Sequence, residues 1–221
     1  AVEAIKPTVC ISYNAWKKYP TYDFDTDSSI HKFVSPFSSL QNEQYVPPEL
    51  VDLEKIGWGN IVVQNNEGKL TKEAASALAD LAAAFNTQFS KPIIVVSSYR
   101  SYGYQKKLLA WYTQTHWAGR AAVFSAKPWF SEHQLGLAID VFNASTDGID
   151  GYKNDLAWMR DNAYKYWWTQ SYQKWVDVDG YIVEPWHWRY VGKELATYLW
   201  ENKMTFSEYV RFWWVWRANA K

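Results

Sequence analysis

A single cysteine, Cys10, stands in a chain of 221 residues, so no internal disulfide can staple the fold and no cysteine-based zinc ribbon can nucleate it. The fold must rest on an apolar core. The length suits one domain with a sizeable core, or at most two small ones. A content of 48% hydrophobic and 21% charged residues is a globular balance that excludes disorder along the whole chain. Lys and Arg number 23 and match 23 Asp and Glu, leaving no global field to draw the protein onto nucleic acid or an anionic membrane. Neither partner is expected. No stretch approaches the roughly 20 apolar residues of a bilayer span, and the Ala-rich run 74–85 is broken by Asp80, so a soluble chain is expected. The first residue is Ala1 and no basic-then-apolar leader follows it, which reads as the end left after a signal or anchor was removed.

Hydropathy periods set out the elements. Residues 1–45 keep neither the helical nor the strand period and are punctuated by Pro7, Pro20 and Pro36, so they read as an extended arm over a single body, 46–221. Ile61 to Val63 reads as a short strand, with a turn over 65–68. Ala74, Leu78, Leu81 and Phe85 fall at helical spacing and predict a helix from an N-cap at Thr71 to about Phe89. The β-branched run Ile93 to Val96 predicts a buried strand. A helix from Tyr104 to about Trp117, closed by Gly119, follows; then a strand over 136–142, a turn-rich stretch over 143–151 and a helix over 156–168. Strands over 180–183 and 186–191 precede two closing helices, the first over 193–202 and the second opening at Thr205, where Thr205 and Glu208 match a capping box. Strands interspersed with helices, without a βαβ repeat, predict an α+β fold. Aromatic residues reach 19%, with 15 Trp and 16 Tyr; most are expected to pack in or around the core.

Histidine is scarce, and two of the four sit in unusual strings. Ser131-Glu132-His133-Gln134-Leu135-Gly136-Leu137-Ala138-Ile139-Asp140 places an imidazole before a short strand and a carboxylate near its end. Glu184-Pro185-Trp186-His187-Trp188-Arg189 places a carboxylate three residues before a second imidazole. Either histidine alone would read as a hydrogen-bonded structural residue. Together they supply the two imidazoles and a carboxylate that suit a catalytic Zn²⁺ with one position left to water, plus a second carboxylate to serve as base. In a regular strand residues 184 and 187 would face opposite ways, so Pro185 is expected to break the strand there. Trp186 and Trp188 are then expected on the face away from His187, bracing the site. His31 and His116 read as structural or surface residues.

These strings resemble the paired His-x6-Asp and Glu-x-x-His motifs of the metallopeptidases named for lysostaphin, D-Ala-D-Ala peptidases and hedgehog. The nearer resemblance is to the VanY-type D-alanyl-D-alanine carboxypeptidase branch, which Ser98-Tyr99-Arg100-Ser101-Tyr102 followed by Gln105 also matches. The similarity runs from about Tyr45 to Ala196. It implies a small central antiparallel sheet flanked by helices, zinc held by His133, Asp140 and His187, and Glu184 as base. It further implies Arg100 on the substrate carbonyl or carboxylate, with Ser131 and Gln105 as other substrate-binding candidates. The implied activity is removal of the terminal D-alanine from peptidoglycan stem peptides, D,D or L,D, by an exported monomer of the bacterial cell envelope. An endopeptidase of the same fold and a non-catalytic zinc-containing wall-binding module stay open. Two departures stand out: Ser97 or Ser98 where Gly often precedes the Tyr-Arg pair, and Lys127-Pro128-Trp129-Phe130 where a Pro-Gly turn is common. Trp129 is expected to reshape the pocket entrance.

Overall fold

The computed structural model describes residues 22–64, 68–116, 118–142 and 144–219. The elements are β1 (Leu50–Asp52), α1 (Leu53–Ile56), β2 (Ile61–Val63), β3 (Lys69–Thr71), α2 (Lys72–Phe89), β4 (Ile93–Ser97), α3 (Tyr102–Thr115) and α4 (Ala118–Ala121). After a 3₁₀ turn, Glu132–Leu135, come β5 (Ala138–Val141), α5 (Ala144–Asn162), a second 3₁₀ turn (Ala163–Tyr166), β6 (Trp168–Gln170), α6 (Val176–Asp179), β7 (His187–Tyr190), α7 (Lys193–Glu201) and α8 (Phe206–Asn219). The architecture is α+β. A five-stranded sheet runs β2-β4-β5-β7-β6, beside a two-stranded antiparallel sheet of β1 and β3. All neighbours in the larger sheet are antiparallel except β2 and β4.

The core forms where the predicted periods say it should. Ala74, Leu78, Leu81 and Phe85 of α2 are fully buried in one cluster with Ile93, Val95, Ile139 and Val141 of the sheet and Trp188 and Tyr190 of β7. Thr71 caps α2 by position only, because its hydroxyl makes no cap bond. Against this apolar face, the alternation of β5 and β7 leaves Asp140, His187 and Arg189 on the other side. The register pairs Asp140 with His187 and Ala138 with Arg189. Period two therefore segregates the sheet into a core face and a chemical face.

Several expectations need correction. α3 begins at Tyr102, because Ser101 is its N-cap and accepts from the Tyr104 N–H at 3.2 Å; it ends at Thr115, and Gly119 lies inside α4 instead of closing α3. The stretch expected to be turns is helical from Ala144 onward; Ser145, Thr146 and Asp147 are residue types that start helices as readily as turns. Trp168 belongs to β6, not to a helix, and 180–183 forms no strand. The turn expected at 65–68 falls largely outside the described residues. The capping box forms as expected: the Thr205 N–H donates to Glu208 at 2.9 Å and the Glu208 N–H to Thr205 at 3.2 Å. A second cluster joins Phe24 and Phe33 to Leu195, Leu199, Phe206 and Tyr209 of the closing helices. Aromatic residues divide between interior and surface: Trp168 and Trp188 are buried, whereas Trp58, Trp111, Trp175 and Trp200 are exposed.

Candidate metal centre and cleft

The centre is assembled by the sheet register and two turns. Asp140 and His187 are cross-strand partners, while His133 arrives on the 3₁₀ turn that leads into β5. That turn closes on Gly136, whose φ of +64° and approach to Leu50 and Pro47 leave no room for a Cβ. Nitrogens of His133 and His187 and a carboxylate oxygen of Asp140 lie within 4.8 Å of one another, a set able to hold a metal ion.

Outer hydrogen bonds decide which ring atoms face inward. His133 Nδ1 lies 2.7 Å from the Ser98 carbonyl oxygen, an acceptor, so Nδ1 carries the proton and the Nε2 lone pair is turned toward Asp140 Oδ2, 3.3 Å away. On His187 the roles are exchanged: Nε2 lies 2.8 Å from Glu132 Oε2, and Nδ1 is the inward atom, 3.0 Å from Asp140 Oδ1. Backing an imidazole ligand with a carbonyl or carboxylate is how proteins orient it and raise its basicity. This N,N,O donor set fits Zn²⁺. Both inward nitrogens converge on the one Asp140 carboxylate, as a shared cation would require.

Charge is concentrated here. Arg100 donates from Nη2 to Asp140 at 2.6 Å and from Nε to the Ser97 hydroxyl at 2.8 Å. Burial opposes ionisation of Asp140, but the charges of His133 and Arg100 hold its carboxyl well below the usual range. Burial, aided by Arg100, drops His133 to about 4. Burial also works against charge on His187, yet the bonds to Asp140 and Glu132 outweigh it and raise His187 to about 10. Tyr172 lies against the His187 ring at 4.7 Å between centroids.

Above this floor opens a cleft of about 280 Å³ lined by Arg100, Ser131, His133, Asp140, Glu184 and His187, among others. Glu184 sits outside β7 on a turn closed by the His187 N–H to the Glu184 carbonyl at 3.2 Å, so the break at Pro185 brings Glu184 and His187 to the same cavity. Burial raises the Glu184 carboxyl to about 8. Ser131 is buried at the cleft wall. Gln105 does not line the cleft; its amide donates to the Ala126 carbonyl at 2.8 Å and holds that wall segment in place. Trp186 and Trp188 do not share a face: the turn ends the strand period before Trp186, which lines the cleft, while Trp188 is in the core behind it. Trp129 is not at the cleft entrance; it lines a separate groove.

Sequence reasoning missed Glu132 and Arg189. Glu132 is buried, accepting from the Ser171 hydroxyl at 2.7 Å and pairing with Arg189 at 3.5 Å as well as with His187. Arg189 is fully buried and donates to the Ile30 and Lys32 carbonyls. A signal existed: Arg189 shares the period-two face of His187, and a buried guanidinium on that face needs a carboxylate.

A model of the VanY family, described as D-alanyl-D-alanine carboxypeptidase, matches residues 67–193. The D-alanyl-D-alanine carboxypeptidase of Enterococcus faecalis (strain ATCC 700802 / V583) is 33% identical over 182 residues, 77% of this chain and 64% of its own length. Among solved structures, the LdcB LD-carboxypeptidase matches with a TM-score of 0.71 at 32% identity, over 84% of this chain and 87% of that one. A mutant of the vancomycin-resistance D,D-pentapeptidase VanY from a VanB-type cassette, in complex with Zn(II), matches with a TM-score of 0.64 at 27% identity, over 80% and 97% of the two chains. The chain spans between about half and two thirds of the first two curated relatives, 53% and 64% of their lengths.

Proposed function

The chain belongs to the VanY D-alanyl-D-alanine carboxypeptidase family, and from that premise we propose that it is a zinc carboxypeptidase that removes the terminal D-alanine from peptidoglycan stem peptides at the cell envelope. The single observation carrying this reading is the convergence of His133 Nε2, His187 Nδ1 and Asp140 beneath a cleft that Glu184 and Arg100 line. His133, Asp140 and His187 are the metal ligands. Bound by these three residues, zinc would supply Lewis acidity, making water a nucleophile near neutral pH by bringing its pKa from about 15.7 toward about 7.

This chain's own residues do the rest. Glu184, as the carboxylate, accepts the proton of the attacking water and returns it to the leaving amine, a role that typically contributes about 10²–10⁴-fold. No hydrogen bond reaches its carboxyl among the described residues, which suits a group that must gain and lose a proton each turnover. Arg100 keeps donors beyond the two it spends on Asp140 and Ser97; these bind the substrate's terminal carboxylate or its polarised carbonyl. Ser131 contributes a hydroxyl to the cleft wall, and Gln105 acts through the wall it fastens. Residues 46–221 are assigned to the peptidase unit and 1–45 to the arm, whose described part, 22–45, is held where Arg189 donates to the carbonyls of Ile30 and Lys32.

Purified zinc-loaded protein, given stem pentapeptide and tetrapeptide, is expected to release a single alanine, with a chelator abolishing the reaction and zinc restoring it. Mass spectrometry reads the products. Internal fragments would replace this reading with an endopeptidase, and bound zinc without any cleavage would replace it with a wall-binding module.

A further inference from the structure

The cleft has two walls, and they meet. One is built by Phe124, Ser125 and Ala126, the other by Tyr181 and Ile182, which lead to Glu184. The Ile182 N–H donates to the Val123 carbonyl at 3.0 Å, so the main chains of the two walls are joined there and the cleft cannot run on between them. Each side of the joint is braced. Gly180, at φ +88°, packs so closely on Pro36 that a Cβ would meet its ring at 2.6 Å, and the Tyr181 ring lies against Tyr172 at 5.1 Å between centroids. On the other side the Tyr112 ring of α3 meets Phe124 edge-on at 5.0 Å.

Ser125 stands two residues from this joint. The backbone around it is fixed: its N–H donates to the Ala121 carbonyl at 2.9 Å, and the Ala126 carbonyl accepts from Gln105 at 2.8 Å. Ser125 lines the cleft and is 6% exposed, yet its buried hydroxyl has no hydrogen-bond partner among the described residues. Leaving such a group unpaired is costly, and native proteins keep few of them. A ligand in the cleft removes the cost, because turning about the single Cα–Cβ bond carries the hydroxyl between three staggered positions.

We propose that the joined end of the cleft is a blind end that takes the last residue of the substrate, with Ser125 hydrogen-bonding its terminal carboxylate. The proposal rests on the carboxypeptidase reading for the substrate, and it names what confines cleavage to the last bond. Ser125 and Ser131 belong to one stretch of wall, and with the spare donors of Arg100 they offer O–H and N–H groups to an anion. Glu184 leads off the facing wall and, when ionised, repels one. A terminal carboxylate is therefore drawn to the serine wall. A peptide that continued past the cleaved residue would run into the Val123–Ile182 joint instead of open space.

Zinc-loaded protein is given a stem pentapeptide as the free acid, the same peptide as its C-terminal amide, and the same peptide extended by one glycine. The parent is expected to cleave the free acid with a kcat/KM about 100-fold or more above that of either other substrate. Ser125→Ala removes only an unpaired hydroxyl, so the fold and the zinc are kept. It is expected to lose about tenfold on the free acid, carried by KM, and nothing on the amide. Efficient cleavage of the amide or the extended peptide by the parent, or a Ser125→Ala loss that is absent or equal on acid and amide, overturns the proposal and leaves the zinc peptidase reading standing. A parent that cleaves none of the three sinks that reading, and calorimetry with D-alanyl-D-alanine then decides on the cleft. Binding about tenfold weaker in Ser125→Ala supports the carboxylate site, and equal or absent binding overturns it.

Discussion

The floor and the wall of the cleft each present a buried glutamate, and the two behave in opposite ways. Glu132, on the 3₁₀ turn beneath the centre, is 2% exposed, and Glu184, on the turn before β7, is 7% exposed. Burial pushes both toward the neutral form. On the floor, the hydrogen bond from His187, the charge of Arg189 and the Ser171 hydroxyl overcome burial and lower the carboxyl. At the wall no hydrogen bond or ion pair reaches the Glu184 carboxyl among the described residues, and burial wins. Partners, not depth, separate a carboxylate fixed as an anion from one poised to exchange a proton.

The contrast breaks most visibly through chemistry. Glu184→Gln is expected to lower kcat by about 10²–10⁴-fold with zinc stoichiometry unchanged, measured by turnover alongside metal analysis; retained turnover would remove Glu184 from the role of base. The matching change on the floor acts on the fold. Glu132→Gln strands the buried Arg189 charge and is expected to cost about 3–5 kcal/mol, read from urea unfolding of the metal-free protein. If stability is unchanged, the floor carboxylate is not the counter-charge described here. Zinc affinity sharpens the difference further: Glu132→Gln should weaken it by about 10–100-fold through loss of the brace on His187, whereas Glu184→Gln should leave it near the parent value in a competitive chelator titration.

The smallest effect concerns pH. The folded Glu184 carboxyl titrates at about 8 against 4.5 for its ordinary value, so the folded state binds the extra proton between these values and stability falls as pH rises through that window. Glutamine has no proton to lose. Metal-free Glu184→Gln should therefore gain on the parent as pH rises from about 4.5 to 8, by about 1–2 kcal/mol after allowing for water in the cleft. Thermal unfolding across that window would show the curves diverging, and parallel curves would contradict the burial argument.

Much of this was legible in the sequence because the informative residues stand in short contiguous strings. The core face of α2 and the strands at 61 and 93 follow from periodicity over many positions or from β-branched runs. β1, β3 and β6 are three residues each, too short for any period, and they exist because neighbouring strands supply their hydrogen bonds. The start of α5 was hidden by Gly148, Gly151 and its acidic residues, which local rules assign to turns. Glu132 was in plain view within the His133 string, but its role depends on Ser171 and Arg189, which lie far along the chain. Likewise Trp129 reads locally as a lip to the pocket, and only the tertiary path of 127–130 shows that it lines a separate groove.

The most direct test of the centre is anomalous scattering at the zinc edge from a crystal of the metal-loaded protein. One peak bonded to His133 Nε2, Asp140 and His187 Nδ1, with no fourth protein ligand and with the Glu184 carboxyl facing the vacant position, is the predicted result. A peak elsewhere, or one at this centre closed by Glu184 or Glu132 as an additional ligand, would contradict it.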